Sequence, residues 1–368
     1  MRVIRRAGRR SPAGALRSAL LVLAGAVLLS VGTGMGLPWA AKAGWHAVTV
    51  VTLLALLVGA AVVAFGVAEV ARSTRGWRRW LAPPVALVIT AVLVYTLAIP
   101  LAATSPPRVA VGDRTPADVG LGYAEVRMPS REGEVLAGWY LPSRNGAAVV
   151  LRHGSGSSRS SVLPQAEVLA SHGYGVLMTD ARGQGASTGR AMAWGWHGDD
   201  DVDAAVTLLS RTPGVEPSRI AVAGLSTGGE EALGAAAGDH RIRAVVAEGA
   251  TGRSAEDLGW LVPAYGWRGR LTLQLHRAQT ALVSALIGSS RPTPLAAAAQ
   301  RLGSRPVLLI AAGTVDDEEL AAHAVRDRAP GSVGVWVVPG SRHTGGLQTA
   351  RDEWERRVVG FLDEALGP

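Results

Sequence analysis

The stretch Arg219-Ile-Ala-Val-Ala-Gly224-Leu-Ser226-Thr-Gly228-Gly229 decides how the rest of the chain is read. Ile220 to Ala223 is a short apolar run rich in β-branched residues, long enough for a buried strand, and the alanine-rich run Glu230 to Ala237 reads as a helix. The Gly-x-Ser-x-Gly at their junction predicts a sharp strand-to-helix turn. Such a turn holds the serine in a strained backbone conformation, while glycines at 224 and 228 keep side chains out of its way. The hydroxyl of Ser226 is then expected at the carboxyl end of a sheet, beside a helix N-terminus. The same five-residue pattern recurs at Gly185-Ala-Ser187-Thr-Gly189. No strand directly precedes that copy, so Ser187 reads as a loop serine. The alternative for Ser226 is an ordinary helix-capping serine.

Working outward, the 368 residues divide into two regimes of composition. Up to Ser105 there are eleven Lys and Arg against one acid, Glu69; from residue 106 onward there are 26 Arg and 28 Asp and Glu. The basic charge therefore belongs to the first part and gives no support to nucleic-acid binding. With no cysteine, disulfides and thiolate metal sites are excluded. No phosphate-cradling Gly-x-x-x-x-Gly-Lys-Ser/Thr occurs, so ATP chemistry is unsupported, and no cofactor is expected.

Three long apolar runs, about Ala15 to Leu37, Ala47 to Val70 and Pro84 to Ala103, each approach the ~20 residues that cross a hydrocarbon core. They define a three-helix transmembrane region over 1–105. A cleaved signal peptide is the competing reading of the first, given Arg2, Arg5, Arg6, Arg9, Arg10 and Arg17, but its apolar stretch is long and two more follow. Gly25, Gly32, Gly59 and Gly66 would permit close helix packing. The basic N-terminus and the segment Arg72 to Arg79 should both be cytoplasmic, because the loop between the first two helices carries only Lys42. Three crossings then carry the C-terminal domain outside the cytoplasmic membrane. Trp39, Trp45, Trp77 and Trp80 fall where interfacial aromatics belong, or are plain loop tryptophans.

Residues 106–122 form a polar linker broken by Pro106, Pro107 and Pro116. Beyond it, short strands alternate with helical patterns, the signature of an α/β domain with a mostly parallel sheet covered on both faces. Eight strands are expected: Ala124 to Met128, Val135 to Leu141, Ala147 to Arg152, Val176 to Thr179, Ile220 to Ala223, Ile242 to Ala247, Val307 to Ala311 and Val333 to Val338. Helices are expected at about Val162 to Ser171, Asp200 to Ser210, Thr227 to Ala237, Glu319 to Asp327 and Arg351 to Leu366.

Four stretches together carry a resemblance. They are His153-Gly154-Ser155-Gly156 after the third strand, Asp180-Ala-Arg182-Gly183-Gln-Gly185-Ala-Ser187 after the fourth, the turn at Ser226, and the pair Gly313-Thr-Val-Asp316 and Gly340-Ser-Arg-His343 after the last two strands. In this set residues 123–368 resemble the α/β-hydrolase superfamily, closest to its dienelactone-hydrolase and acylaminoacyl-peptidase-like branch. The order serine, acid, histidine matches that superfamily. A serine hydroxyl needs a base within hydrogen-bond reach, and His343 lies in a loop between the last strand and the last helix. The resemblance implies Asp316 as the acid orienting His343, with Asp317 next, and acids at a helix start as the plainer explanation of Asp316 to Glu319. The backbone N–H of Thr227 and, by resemblance, of Ser155 would form an oxyanion hole. His153, Asp180 and Arg182 read as hydrogen-bonding scaffold, and Asp199 to Asp201 as a solvated helix cap, not a metal site.

An insertion over 251–305, with Trp260, Tyr265, Trp267 and an amphipathic stretch Leu271 to Leu286, corresponds by resemblance to a cap that sets substrate choice; a plain structural excursion is the alternative. The implied activity is that of a membrane-anchored serine hydrolase cleaving carboxylic esters, or amides or thioesters, of small molecules or lipids. An acyltransferase using the same triad and a non-catalytic membrane scaffold are the alternatives.

Overall fold

The computed structural model describes residues 12–367, so Arg2 to Arg10 of the basic leader lie outside the described residues. The chain divides at Pro107 and Arg108 into two compact units.

In the first unit, helix α1 (Pro12–Val31) runs through a wider π-type turn at Gly32–Gly36 into α2 (Leu37–Lys42), followed by α3 (Ala47–Ser73) and α4 (Arg78–Thr104). Three helical stretches, Leu16–Lys42, Ala47–Ser73 and Arg78–Thr104, are long and apolar enough to cross a membrane. The close packing expected of the small residues is present between α1 and α3. A Cβ on Gly25 would sit 2.6 Å from Val63 Cγ2, and one on Gly59 would sit 2.7 Å from the backbone nitrogen of Leu29. Such separations leave no room for a side chain, so the glycines set the interhelical distance.

The second unit is built on one eight-stranded sheet. Its strands are β1 (Ala124–Pro129), β2 (Val135–Leu141), β3 (Ala148–Arg152), β4 (Gly175–Thr179), β5 (Ile220–Leu225), β6 (Ile242–Glu248), β7 (Val307–Ala312) and β8 (Val333–Val338). They lie in the order β1-β2-β4-β3-β5-β6-β7-β8. The pairs β1/β2 and β2/β4 are antiparallel and the remaining five pairs are parallel. Strands β3 and β4 are buried along their whole length, as a sheet covered on both faces requires. One core lies against helices α6 (Gly198–Leu209), α7 (Thr227–Gly238), α9 (Leu295–Leu302) and α10 (Asp316–Arg326). The other lies against α5 (Leu163–Ser171), α11 (Gly346–Thr349) and α12 (Arg351–Leu366), the last contributing Trp354, Val358 and Leu362.

The expected eight strands are all present, with ends within two residues of the expectation. Helices α9 and α11 are additional to the expected pattern, and two more differ from it, one near the carboxyl edge of the sheet and one in the insertion. The first, α10, begins at Asp316, three residues before the expected start. The second, α8 (Leu261–Ile287), makes up much of the insertion and kinks at Gly266, which adopts φ 57°.

Candidate active site

Ser226 stands between β5 and α7 with φ 52° and ψ −125°, a conformation that L-residues rarely hold. The surroundings over-determine it. The Ser226 N–H donates to Glu248 O at 2.7 Å, and the N–H of Gly229 donates back to Ser226 O at 2.8 Å. The two flanking glycines are required by close approach. A Cβ on Gly224 would meet Gly228 O at 2.2 Å, and one on Gly228 would meet His153 O at 2.6 Å. The Ser226 hydroxyl itself has no hydrogen-bond partner among the described residues.

Ser226 and His343 line one cavity of about 290 Å³, together with Ser155 and Gln165. No hydrogen bond joins the Ser226 hydroxyl to the imidazole, and catalytic hydrogen bonds of this kind often tighten only around a substrate. A Cβ on Gly249 would sit 2.9 Å from His343 Cε1, so the glycine makes room for the ring.

The carboxylate on His343 corrects the expectation from sequence. His343 Nδ1 lies 2.6 Å from Glu318 Oε1, and the other oxygen of Glu318 accepts the Ala312 N–H at 2.9 Å. Neither Asp316 nor Asp317 holds the histidine. Asp316 is the exposed first residue of α10, and Asp317 accepts a hydrogen bond from the Tyr265 hydroxyl at 2.6 Å. The reason is the early start of α10. With the helix under way at 316, burial falls on the stripe Glu318, Ala321, Ala322 and Val325, and Glu318 is the acid turned inward. That stripe singles out Glu318 only once the helix start is fixed at Asp316. Because an ionised carboxylate only accepts, Nδ1 carries the proton and Nε2 is left as the basic nitrogen. The Glu318 hydrogen bond holds the imidazole above the ordinary histidine range, aided by the charges of Glu318, Glu230 and Glu248 and opposed by burial.

Glu248 ties the two halves of the site together and had no signal beyond a lone acid closing an apolar strand. Its carbonyl holds the Ser226 N–H. Its carboxylate accepts the Gly346 N–H at 2.7 Å and Trp354 Nε1–H at 3.1 Å, so it fixes the segment that follows His343. Burial pushes this carboxyl above its usual range.

Thr227 is the first residue of α7, so its N–H has no intrahelical acceptor. Ser155 follows β3 in a loop that passes the Ser226 turn closely: a Cβ on the preceding Gly154 would lie 3.2 Å from Ser226 Cβ. Neither N–H has an acceptor among the described residues.

His153 is fully buried between the Gly154 carbonyl, 2.8 Å from Nδ1, and the Ala181 N–H, which donates to Nε2 at 3.0 Å. Burial pushes it down to about 3, which keeps it neutral. Asp180 accepts the N–H groups of Arg159 and Ala186. Asp200 and Asp201 depart from the solvated cap expected of them. Both are buried and paired with Arg182, at 3.2 and 2.6 Å. Asp201 also reaches Arg152, whose guanidinium binds Glu231 at 2.5 Å with both side chains fully enclosed. Burial pushes Glu231 up to about 7. Removing one member of so enclosed a pair leaves an uncompensated charge, at a cost of about 3–5 kcal/mol. The pairing spans 79 residues and no local pattern announces it.

The insertion comprises a turn at Ala255–Leu258, then α8 and α9. No residue lining the cavity comes from it. Its links to the site are indirect: Tyr265 donates to Asp317, the neighbour of Glu318, and the N–H groups of Thr251 and Gly252 donate to Glu230.

Known proteins match parts of this chain. The hydrolase family model described as serine aminopeptidase, S33, matches residues 143–299. The chain is 38% identical over 128 residues to the thiohydrolase aneE of Aspergillus aculeatus, covering 34% of this chain and 40% of that one. It is 33% identical over 138 residues to the polyketide transferase grgF of a Penicillium species, covering 34% and 45%. In both cases less than half of the relative's length is matched. Among solved structures, an esterase of Pyrococcus furiosus, Pf2001, superposes with a TM-score of 0.59 at 25% identity, over 72% of this chain and 99% of that one. With its sheet order, its strained serine turn and these relatives, the chain belongs to the α/β-hydrolase superfamily.

Proposed function

We propose that the protein is a membrane-anchored serine hydrolase that cleaves carboxylic esters, or thioesters, through an acyl-enzyme. Ser226 Oγ bonds to the substrate carbonyl carbon as its proton passes to His343 Nε2, and the new oxyanion rests against the N–H groups of Thr227 and Ser155. Collapse of this intermediate expels the alkoxide or thiolate, which takes the proton from His343. Water then attacks the acyl-enzyme, gives its proton to the same nitrogen, and leaves the carboxylic acid and a re-protonated serine. Glu318, in place of Asp316, holds Nδ1–H and favours the imidazolium that forms on the way.

One observation carries this reading: a serine in a strained strand-to-helix turn shares a cavity with a histidine whose Nδ1 is held by a buried carboxylate. A fluorophosphonate probe tests it on the full chain in detergent. Labelling is expected on Ser226 and is expected to vanish in Ser226→Ala; undiminished labelling of that variant would remove this serine from the mechanism.

A second reading, transfer of the acyl group to an acceptor other than water, is favoured by the likeness to a polyketide transferase. The chemistry up to the acyl-enzyme is the same, and product analysis with and without added alcohols or amines separates the two.

Anchoring follows from the three apolar helices, and the arginine distribution supports a cytoplasmic N-terminus with the hydrolase unit on the far side. In sealed cells, protease added outside should then digest residues beyond about 108. Digestion only after lysis would reverse the orientation.

A further inference from the structure

We propose that Gln165 is the residue through which this site selects its substrate, and that the acyl group it accepts is polar, bearing an amide or a hydroxyl near the reacting carbonyl. The proposal rests on the serine-hydrolase reading and adds a substrate class to it.

Gln165, in the first turn of α5, is 1% exposed, and neither its Oε1 nor its Nε2 has a hydrogen-bond partner. Buried polar groups in native proteins are nearly always paired, because each orphan forfeits its hydration without return. A carboxamide orphaned at both ends is a standing cost that a ligand can remove. The residue lines the same cavity as Ser226 and His343.

The rest of the lining agrees. Ser155, Ser157, Ser161, Thr344 and Gln348 also face this space, and Leu225 is its one aliphatic side chain. Binding cavities are usually walled by apolar and aromatic groups with a few polar ones. Here polar side chains outnumber apolar ones. About 290 Å³ is enough to hold a compact acyl group.

The selection follows from what a carboxamide offers, two N–H donors and an acceptor oxygen. An amide or hydroxyl on the acyl group pairs with both kinds. A plain alkyl group leaves them orphaned, and a site built to hydrogen-bond its substrate rejects the analogue that cannot reciprocate.

The test uses the full chain in detergent with esters of one leaving group and three acyl groups of similar size: plain alkyl, α-hydroxy and α-acetamido. We expect kcat/KM for at least one polar ester to exceed that for the alkyl ester by on the order of 10- to 100-fold. Gln165→Leu and Gln165→Met should bring that ratio close to one, chiefly by lowering kcat/KM for the polar ester, with circular dichroism showing the fold retained. The polar ester whose advantage collapses identifies the group read. A ratio unchanged in both variants, or a parental preference for the alkyl ester, overturns the proposal and makes Gln165 a structural amide. If the parental protein neither labels nor turns over any ester, the serine-hydrolase reading itself falls and takes this one with it.

Discussion

Two serines in this chain occupy the same five-residue pattern, Gly185-Ala-Ser187-Thr-Gly189 and Gly224-Leu-Ser226-Thr-Gly228, and have opposite fates. The Ser187 hydroxyl donates to the Asp180 carbonyl at 2.8 Å and accepts the Ala137 N–H at 2.9 Å, so its hydrogen-bonding capacity is spent inside the fold. Ser226 spends none of its side chain that way and stands in a cavity with a base. The glycines differ as well. Gly185 is needed because a Cβ there would lie 2.0 Å from Asp180, whereas Gly224 is needed because the chain doubles back on Gly228. The pattern therefore records only that the backbone is crowded. What makes one serine available is a strand that delivers it to the sheet's carboxyl edge and a helix that begins directly after it.

The widest separation between the two sites should come from alanine at each. Ser226→Ala is expected to lower kcat by about 10³-fold or more, since loss of a nucleophile removes the covalent route altogether. Circular dichroism should find the fold unchanged. Turnover of that variant near the parental rate would erase the distinction between the two serines.

The next effect lies in the acid. Glu318→Gln should cost about 10²- to 10⁴-fold in kcat, because the amide no longer favours the imidazolium or the required tautomer. Asp316→Ala should cost little. The reverse ranking would restore the acid expected from sequence and leave the observed contact without a role. The pH profile gives a second reading. His343 must be neutral to act as a base, and its pKa is raised by the Glu318 hydrogen bond. The ascending limb of kcat/KM should therefore lie above the ordinary histidine value of about 6.5 and move downward in Glu318→Gln. By linkage, the same pair stabilises the fold below about pH 6.5, and that contribution is lost as pH rises through the raised value.

The acid also marks where sequence reasoning runs out. Buried strands are legible because β-branched runs bounded by glycine and polar residues have few other uses, and β2 and β8 begin and end where the run does. Four acids in a row at a helix start are less legible, because any of them suits the dipole and the boundary is blurred. A boundary at Glu319 leaves Asp316 in a loop. A boundary at Asp316 puts Glu318 on the stripe with Ala321, Ala322 and Val325. Glu248 and the enclosed Arg152–Glu231 pair are hidden for a different reason. Their partners lie 79 to 106 residues away, and a buried charge is explained only by a partner that tertiary structure supplies.

The smallest effect on chemistry should be at Ser187. Alanine there leaves two buried backbone groups, the Ala137 N–H and the Asp180 carbonyl, each short of a partner, at a cost of about 1–3 kcal/mol in stability. Those groups join β2 to the loop after β4, and neither Ala137 nor Asp180 lines the cavity. Ser187→Ala should thus lower the midpoint of thermal unfolding while the folded fraction keeps its kcat and its fluorophosphonate labelling rate. A loss of labelling comparable to that of Ser226→Ala, with stability intact, would mean that the second serine takes part in the reaction and that burial has misassigned it.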